Sequence, residues 1–329
     1  MNKGKSSTAI IVFVIAVMLN FLIFFIVNKY GIDGINDFLK DSLNIEIIET
    51  SSLMDENSSD GKEENSQVTS ELRIHYIDVG QGDAILVEQK ENYMLIDAGP
   101  TSSKETLKDY LEKLNIKKID YLVATHNHED HIGGMANVIK NFDIVNLFMS
   151  KEIATTKTYE NVILAAKEKG LKLYAPKVLE EFELGEAKFK IITNGDNNYS
   201  GANNHSIVIR LTFGNNSFMF MGDAEKELEK DILDLDIDIS ADILKLGHHG
   251  SYTSSSEEFV EKVNPKYAIV SCGKNNSYGH PCKSTMMILK NDKITVYRTD
   301  ESSNIIATSD GNNITFNVDP GTYSYISAK

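Results

Sequence analysis

The chain has 329 residues, 41% hydrophobic and 25% charged, which is ordinary for a globular protein and enough for one large domain. Its formal net charge is -15 at pH 7, and without residues 1–70 it still holds 28 basic against 38 acidic residues. Such a surplus excludes a broad nucleic-acid-binding surface, which would be basic, and leaves room only for a local basic groove.

Residues 1–8 are polar and carry Lys3 and Lys5, and residues 9–27 are apolar except for Asn20. A run of that length predicts one transmembrane helix. A cleaved signal peptide is the rival, but Asn28-Lys29-Tyr30-Gly31 offers no small-residue cleavage site, so an uncleaved anchor is preferred. Lys3 and Lys5 keep residues 1–8 in the cytoplasm and put the remainder outside the membrane, although Lys29 weakens the asymmetry. Residues 28–70 read as an acidic flexible linker, with eight acidic residues against Lys62 between Asp41 and Ser70. As a flexible coil its last ~30 residues span about 30 Å, so the domain at 71–329 is tethered near the bilayer without being fixed to it.

Strands are predicted at 72–79, 84–88 and 93–97, with Gly80-Gln81-Gly82-Asp83 turning between the first two. His75, inside the first strand, reads as structural. Leu107, Tyr110, Leu111 and Leu114 predict a helix over 106–114, followed by a buried strand at 119–124. Strand, helix and strand alternate again at 145–149, 159–169 and 171–174, which is the grammar of an α/β protein. Further strands are expected at 188–193, 206–213, 217–221, 242–246 and 267–271, with closing pieces at 294–298 and near Ile305 and Ile314.

After the strand at 119–124 stands Thr125-His126-Asn127-His128-Glu129-Asp130-His131-Ile132-Gly133-Gly134. An extended chain points His126 and His128 to one side, where two imidazoles can share a metal. A turn opening a helix at the glycines aims Asp130 and His131 back toward a second metal. One histidine is usually a packing residue; three with an aspartate within six positions are not explained that way. The two cysteines, Cys272 and Cys282, flank Tyr278-Gly279-His280-Pro281 and read as either a disulfide across that loop or two inert thiols.

The pattern resembles the HxHxDH signature of the metallo-β-lactamase superfamily, with later stretches in the family's order: Asn203-Asn204-His205-Ser206, Met221-Gly222-Asp223-Ala224 and Leu246-Gly247-His248-His249-Gly250-Ser251. It is similar above all to the hydrolase-like domain that ends the competence DNA-uptake protein ComEC, through Asp78-Val79-Gly80-Gln81-Gly82-Asp83, His248-His249-Gly250-Ser251 and Asn276-Ser277-Tyr278-Gly279-His280-Pro281. The resemblance implies an αββα sandwich with two mixed β-sheets flanked by helices. It also implies two divalent ions, zinc or else manganese, held by His126, His128, Asp130, His131, His205, Asp223 and His248, with Asp223 shared.

Asp223 has two oxygens with which to bridge; its rival role is to cap the helix starting near Glu225. Neighbours on an extended chain face opposite ways, so only one of His248 and His249 is expected to bind metal. His248 is the choice, leaving His249 as a supporting or substrate-contacting residue. Asp78 and Asp97 match family positions that orient ligands. Ser251 opens a hydroxyl-rich run before a helix that suits either a phosphate or a plain cap. Tyr278 and His280 match a loop near the metals, where His280, with Asp130, is placed in the chemistry.

The expected activity is hydrolysis by a metal-bridging hydroxide, on a phosphodiester or nucleic acid, beside a separate uptake channel. The alternatives are another substrate, such as a phosphocholine ester, a lactone or a β-lactam, or a non-catalytic tethered binding module.

Overall fold

The computed structural model describes residues 68–325. The expected anchor at 9–27 and nearly all of the 28–70 linker lie outside the described residues. Among the described residues no helix is long and apolar enough to cross a membrane.

Two mixed sheets face one another. The first runs in chain order through β1 (Leu72–Tyr76), β2 (Ile85–Gln89), β3 (Asn92–Ile96), β4 (Lys118–Ala124), β5 (Asp143–Met149) and β6 (Leu173–Tyr174). The second contains β7 (Glu181–Leu184), β8 (Ala187–Thr193), β9 (Val208–Phe213), β10 (Asn216–Phe220), β11 (Ile243–Lys245), β12 (Tyr267–Val270) and β13 (Thr295–Arg298). The chain then returns to add β14 (Ile305–Ser309) and β15 (Ile314–Phe316) to the first sheet, which orders β15-β14-β1-β2-β3-β4-β5-β6 against β13-β12-β11-β10-β9-β8-β7. Each sheet is antiparallel in one part and parallel in the other, β3 to β6 and β10 to β13 being the parallel runs.

Alternation on these strands explains the layering. Leu72, Ile74 and Tyr76 of β1 pack across the interface on residues such as Phe189, Leu211 and Phe218. The opposite face of the first sheet is covered by α1 (Lys104–Lys113), α2 (Glu129–Ile132), α3 (Met135–Asn141) and α4 (Lys157–Glu168), through Leu107, Leu111, Ile132, Val138 and Val162. The outer face of the second is covered by α5 (Lys226–Asp234), α6 (Glu257–Val263) and α7 (Lys283–Asn291), through Leu228, Phe259 and Met286. The result is a helix-sheet-sheet-helix sandwich. The short hairpin strand β7 and the helix α7 were not foreseen, since neither has a long apolar period. Both cysteines are free thiols, Cys272 buried and Cys282 half-buried.

Parallel neighbours end at the same edge of a sheet. The loops leaving β3 and β4 therefore lie side by side, as do those leaving β10, β11 and β12, and the candidate site is made from these five loops.

Candidate metal centre

Asp97, just beyond β3, organises the first half. Its carboxylate accepts from the Thr125 amide (2.8 Å) and hydroxyl (2.7 Å) and from His131 Nδ1 (2.7 Å), all buried. These bonds fix the exit of β4 and orient the His131 ring, holding Nδ1 on Asp97 and turning Nε2 toward the site. His126 Nε2 and His128 Nδ1 lie 3.1 Å apart. His128, extended at φ -73° and ψ 152°, is the N-cap of α2, and Asp130 and His131 occupy its first turn. A short helix thus opens at Glu129, ahead of the glycines, and α3 opens after them with Gly134 at its N-cap. The glycines also allow close approach: a Cβ on Gly134 would stand 2.3 Å from the Ala98 carbonyl oxygen.

Asp223 follows β10 and is buried, its amide donating to the Ser206 hydroxyl (3.1 Å). Oδ1 lies 3.2 Å from His131 Nε2 and 3.4 Å from His249 Nε2, and Oδ2 lies 3.8 Å from both His126 Nε2 and His248 Nε2. Glu225, not Asp223, stands at the N-cap of α5. Among the described residues, two groups of ligand-capable atoms, each within 4.8 Å, meet at Asp223: Asp130, His131, Asp223 and His249, and His126, His128 and Asp223; a third joins Asp83, Asp97 and His131. Asp223 belongs to both of the first two.

Asp223 Oδ1, His131 Nε2 and His249 Nε2 are buried without a well-formed hydrogen bond. Leaving such atoms unsatisfied costs about 1–3 kcal/mol each. Imidazole nitrogens and carboxylate oxygens converging in this way fit a pair of divalent ions of the zinc or manganese type.

The charges agree. Burial, helped by the neighbouring His131 charge, holds the His126 imidazole well below its ordinary range. Burial also opposes charge on His131, but the Asp223 and Asp97 carboxylates outweigh it and raise its pKa well above that range. The same contest at His249, with Asp223, Asp130 and Asp83 as the anions, puts it at about 9. In the metal-free protein His131 and His249 take protons that a divalent cation would displace, while His126 stays neutral.

Of the adjacent histidines, it is His249 rather than the expected His248 that falls within a ligand-capable group. His248 (φ 45°, ψ 47°) and His249 (φ 55°, ψ 24°) are both left-handed within the turn Gly247–Gly250, so strand alternation does not apply. His249 is buried, and its Nδ1 donates to the Ser271 carbonyl (2.9 Å), turning Nε2 onto Asp130 (3.3 Å) and Asp223. His248 is half-buried at the rim, its Nδ1 3.1 Å from both Glu225 Oε1 and Thr253 Oγ1. His205 is likewise outside both groups among the described residues; its Nδ1 donates to the Gly195 carbonyl (2.6 Å) and its ring meets Tyr199 edge-on. The loop at 194–201 captures it before it reaches the metal groups.

Asp78 touches no site histidine. Its carboxylate accepts from the Gly80 amide (3.1 Å), closing the turn toward Asp83. The run from Ser251 is spent internally: Ser251 Oγ bonds Thr253 Oγ1 (3.0 Å), Ser254 Oγ donates to the Gly247 carbonyl (2.7 Å), and the Ser255 and Ser256 amides before α6 donate to buried Glu229. A carboxylate of the chain itself occupies the place considered for a phosphate. His280 is buried beside the site, with ring centroids 5.2 Å from His248 and 6.1 Å from His249.

Two site residues escaped the sequence reading. Lys245, fully buried in β11, donates to Asp83 Oδ2 (2.7 Å) and to the Leu246 carbonyl (2.9 Å), and Asp83 Oδ1 lies 3.5 Å from His249 Nδ1. The available signal was a lysine inside the apolar run Ile243-Leu244-Lys245-Leu246.

The Metallo-beta-lactamase superfamily profile matches residues 77–274. The chain belongs to the metallo-β-lactamase superfamily. Within that superfamily it is 32% identical over 256 residues to ComE operon protein 3 of Bacillus subtilis, covering 72% of this chain and 33% of that protein. It is 27% identical over 237 residues to Competence protein ComA of Neisseria gonorrhoeae, covering 71% and 32% respectively. The chain thus spans about a third of the length of these curated relatives. Among solved structures, the metallo-β-lactamase fold protein YhfI from Bacillus subtilis superposes with a TM-score of 0.48 at 12% identity, covering 73% of this chain and all of YhfI. The paired clusters are those of a metal-dependent hydrolase on a metallo-β-lactamase fold.

Proposed function

We propose that this chain is a phosphodiesterase, and specifically a nuclease of the competence-protein branch, held to the outer face of the cell membrane by the apolar segment at 9–27. The observation that carries the hydrolytic reading is Asp223, buried and shared between two groups of imidazoles and carboxylates, with Asp223 Oδ1, His131 Nε2 and His249 Nε2 converging without a well-formed hydrogen bond. The relationship to proteins named for competence supports a nucleic-acid phosphodiester as substrate and a separate uptake channel as partner.

His126, His128 and Asp223 would hold one divalent ion, and Asp130, His131, His249 and Asp223 the other. Bound there, such ions supply Lewis acidity and make hydroxide available near neutral pH. The protein's own contribution is placement. Asp97 and the Ser271 carbonyl orient two imidazole rings, so that Nε2 of His131 and of His249 faces inward. Asp130 stays ionised, because neighbouring His249 and His131 outweigh the burial that opposes its charge. Burial and the His249 and His248 charges bring His280 down to about 4, so it is neutral at pH 7. Its Nδ1 is buried without a partner beside the site.

The test is metal content together with hydrolysis of bis(p-nitrophenyl) phosphate by the full chain, beside Asp223→Ala. About two ions per chain are expected, with activity reduced at least ~100-fold in the variant. Two ions without phosphodiester turnover would transfer the reading to carbonyl substrates such as a lactone or β-lactam; absence of bound metal would leave a binding module.

A further inference from the structure

The loop after β12 is built to present an aromatic ring beside the metal centre. Asn276 is its hub: Oδ1 accepts from the amides of Tyr278 (3.2 Å) and His280 (3.1 Å), while Nδ2 donates to the carbonyls of Gly273 (2.9 Å) and His280 (2.6 Å). So braced, Tyr278 remains 69% exposed. Its ring stacks on His280 with centroids 5.9 Å apart and planes 25° apart. His280 stands against His248 and His249, and His249 lies 5.2 Å from His131, ring to ring. A file of rings therefore leads from the buried cluster to water and ends on an open tyrosine. Tyr252, 67% exposed, comes from the adjoining loop, which is tied to this one where the Cys282 amide donates to the Gly250 carbonyl (2.9 Å).

A large aromatic ring held in water at the mouth of a polar site is matched by a flat, apolar partner. The charge balance favours the same partner. With 38 acidic against 28 basic residues beyond residue 70, a broad basic surface does not supply the grip on a nucleic acid, whereas stacking on a base does not depend on net charge. We propose that Tyr278 is a specificity-determining platform on which a nucleobase of the substrate stacks, so that the site selects nucleotide diesters over diesters of aliphatic alcohols. This rests on the phosphodiesterase reading above.

The test compares thymidine 5′-(p-nitrophenyl phosphate) with methyl p-nitrophenyl phosphate, which share a leaving group and differ in the base, using the manganese- or zinc-loaded full chain. Tyr278→Ala should lose about 5- to 150-fold in kcat/KM on the thymidine ester, the range of one base stack, and stay within about twofold on the methyl ester. Tyr278→Phe should stay within about twofold on both, and Tyr278→Leu, which keeps bulk without a π-face, should behave as alanine does. Equal losses on both esters, or none on either, would overturn the proposal. If wild type hydrolyses neither, the phosphodiesterase reading fails, and stacking is then judged by fluorescence polarisation with a labelled phosphorothioate oligothymidylate. Weaker binding by Tyr278→Ala alone would sustain it; equal binding, or no binding by wild type, would end it.

Discussion

Replacing Lys245 by methionine should strand a buried carboxylate directly behind the metal centre. The ammonium and the Asp83 carboxylate meet at 2.7 Å with side-chain exposures of 0% and 1%, and the other Asp83 oxygen has no hydrogen bond. Breaking a pair so buried costs about 3–5 kcal/mol, because the remaining carboxylate loses its ammonium, has no water to replace it and keeps only the longer 3.5 Å contact with His249 Nδ1. At about 2–4 °C per kcal/mol for a domain of this size, the melting temperature should fall by about 6–20 °C. Thermal unfolding of the full chain, followed by circular dichroism, measures this. Lys245→Met with Asp83→Asn should recover most of the loss, since removing both charges leaves nothing stranded. Acid supplies an independent check. Burial works against the Asp83 charge, but Lys245 and His249 bring its pKa down to about 2, below the ordinary value near 3.9. A folded pKa below the unfolded one means that the contribution is complete above about pH 4 and is lost as pH falls through about 2. The penalty of Lys245→Met should shrink correspondingly in acid. A fall below about 2 °C at neutral pH, or a double variant less stable than the single, would refute the reasoning.

The histidine assignment is open to a direct count: His249→Ala should retain about one ion per chain by elemental analysis, while His248→Ala and His205→Ala should each retain about two. Equal occupancy in His249→Ala and wild type would return the ligand role to His248. Chelation should lower the melting temperature, because Asp130, Asp223 and the facing imidazoles lose the cation that satisfies them. If the free ion stood at about 100 times its Kd, its removal costs about 2.7 kcal/mol, read as a melting shift that vanishes in Asp223→Ala.

Local chemistry made much of this protein legible. The density of imidazoles and carboxylates after the strand at 118–124 points to a metal whatever surrounds it, and the structure brings His126, His128, Asp130, His131 and Asp223 together. The alternating strands likewise imply two buried sheet faces, since each residue's side is fixed by a period of two. Where that period fails, the sequence misleads. Left-handed backbone at His248 and His249 turns the second imidazole inward, and nothing in the order of residues announces it. His205 has the right residue type in the right order, yet its loop holds it on the Gly195 carbonyl.

The remaining features depend on contacts between segments far apart in the chain. Lys245 and Asp83 are 162 positions apart, and Glu229 meets the amides before α6 across an interval of 26 and 27 residues. Sequence alone determined which side chains could carry metal chemistry and which strands could be buried, because both follow from residue type and short-range period. Only the tertiary structure decided which histidine turns inward, which carboxylate is sealed against a lysine and which helix start is already filled, because those outcomes depend on how loops from two facing sheets meet.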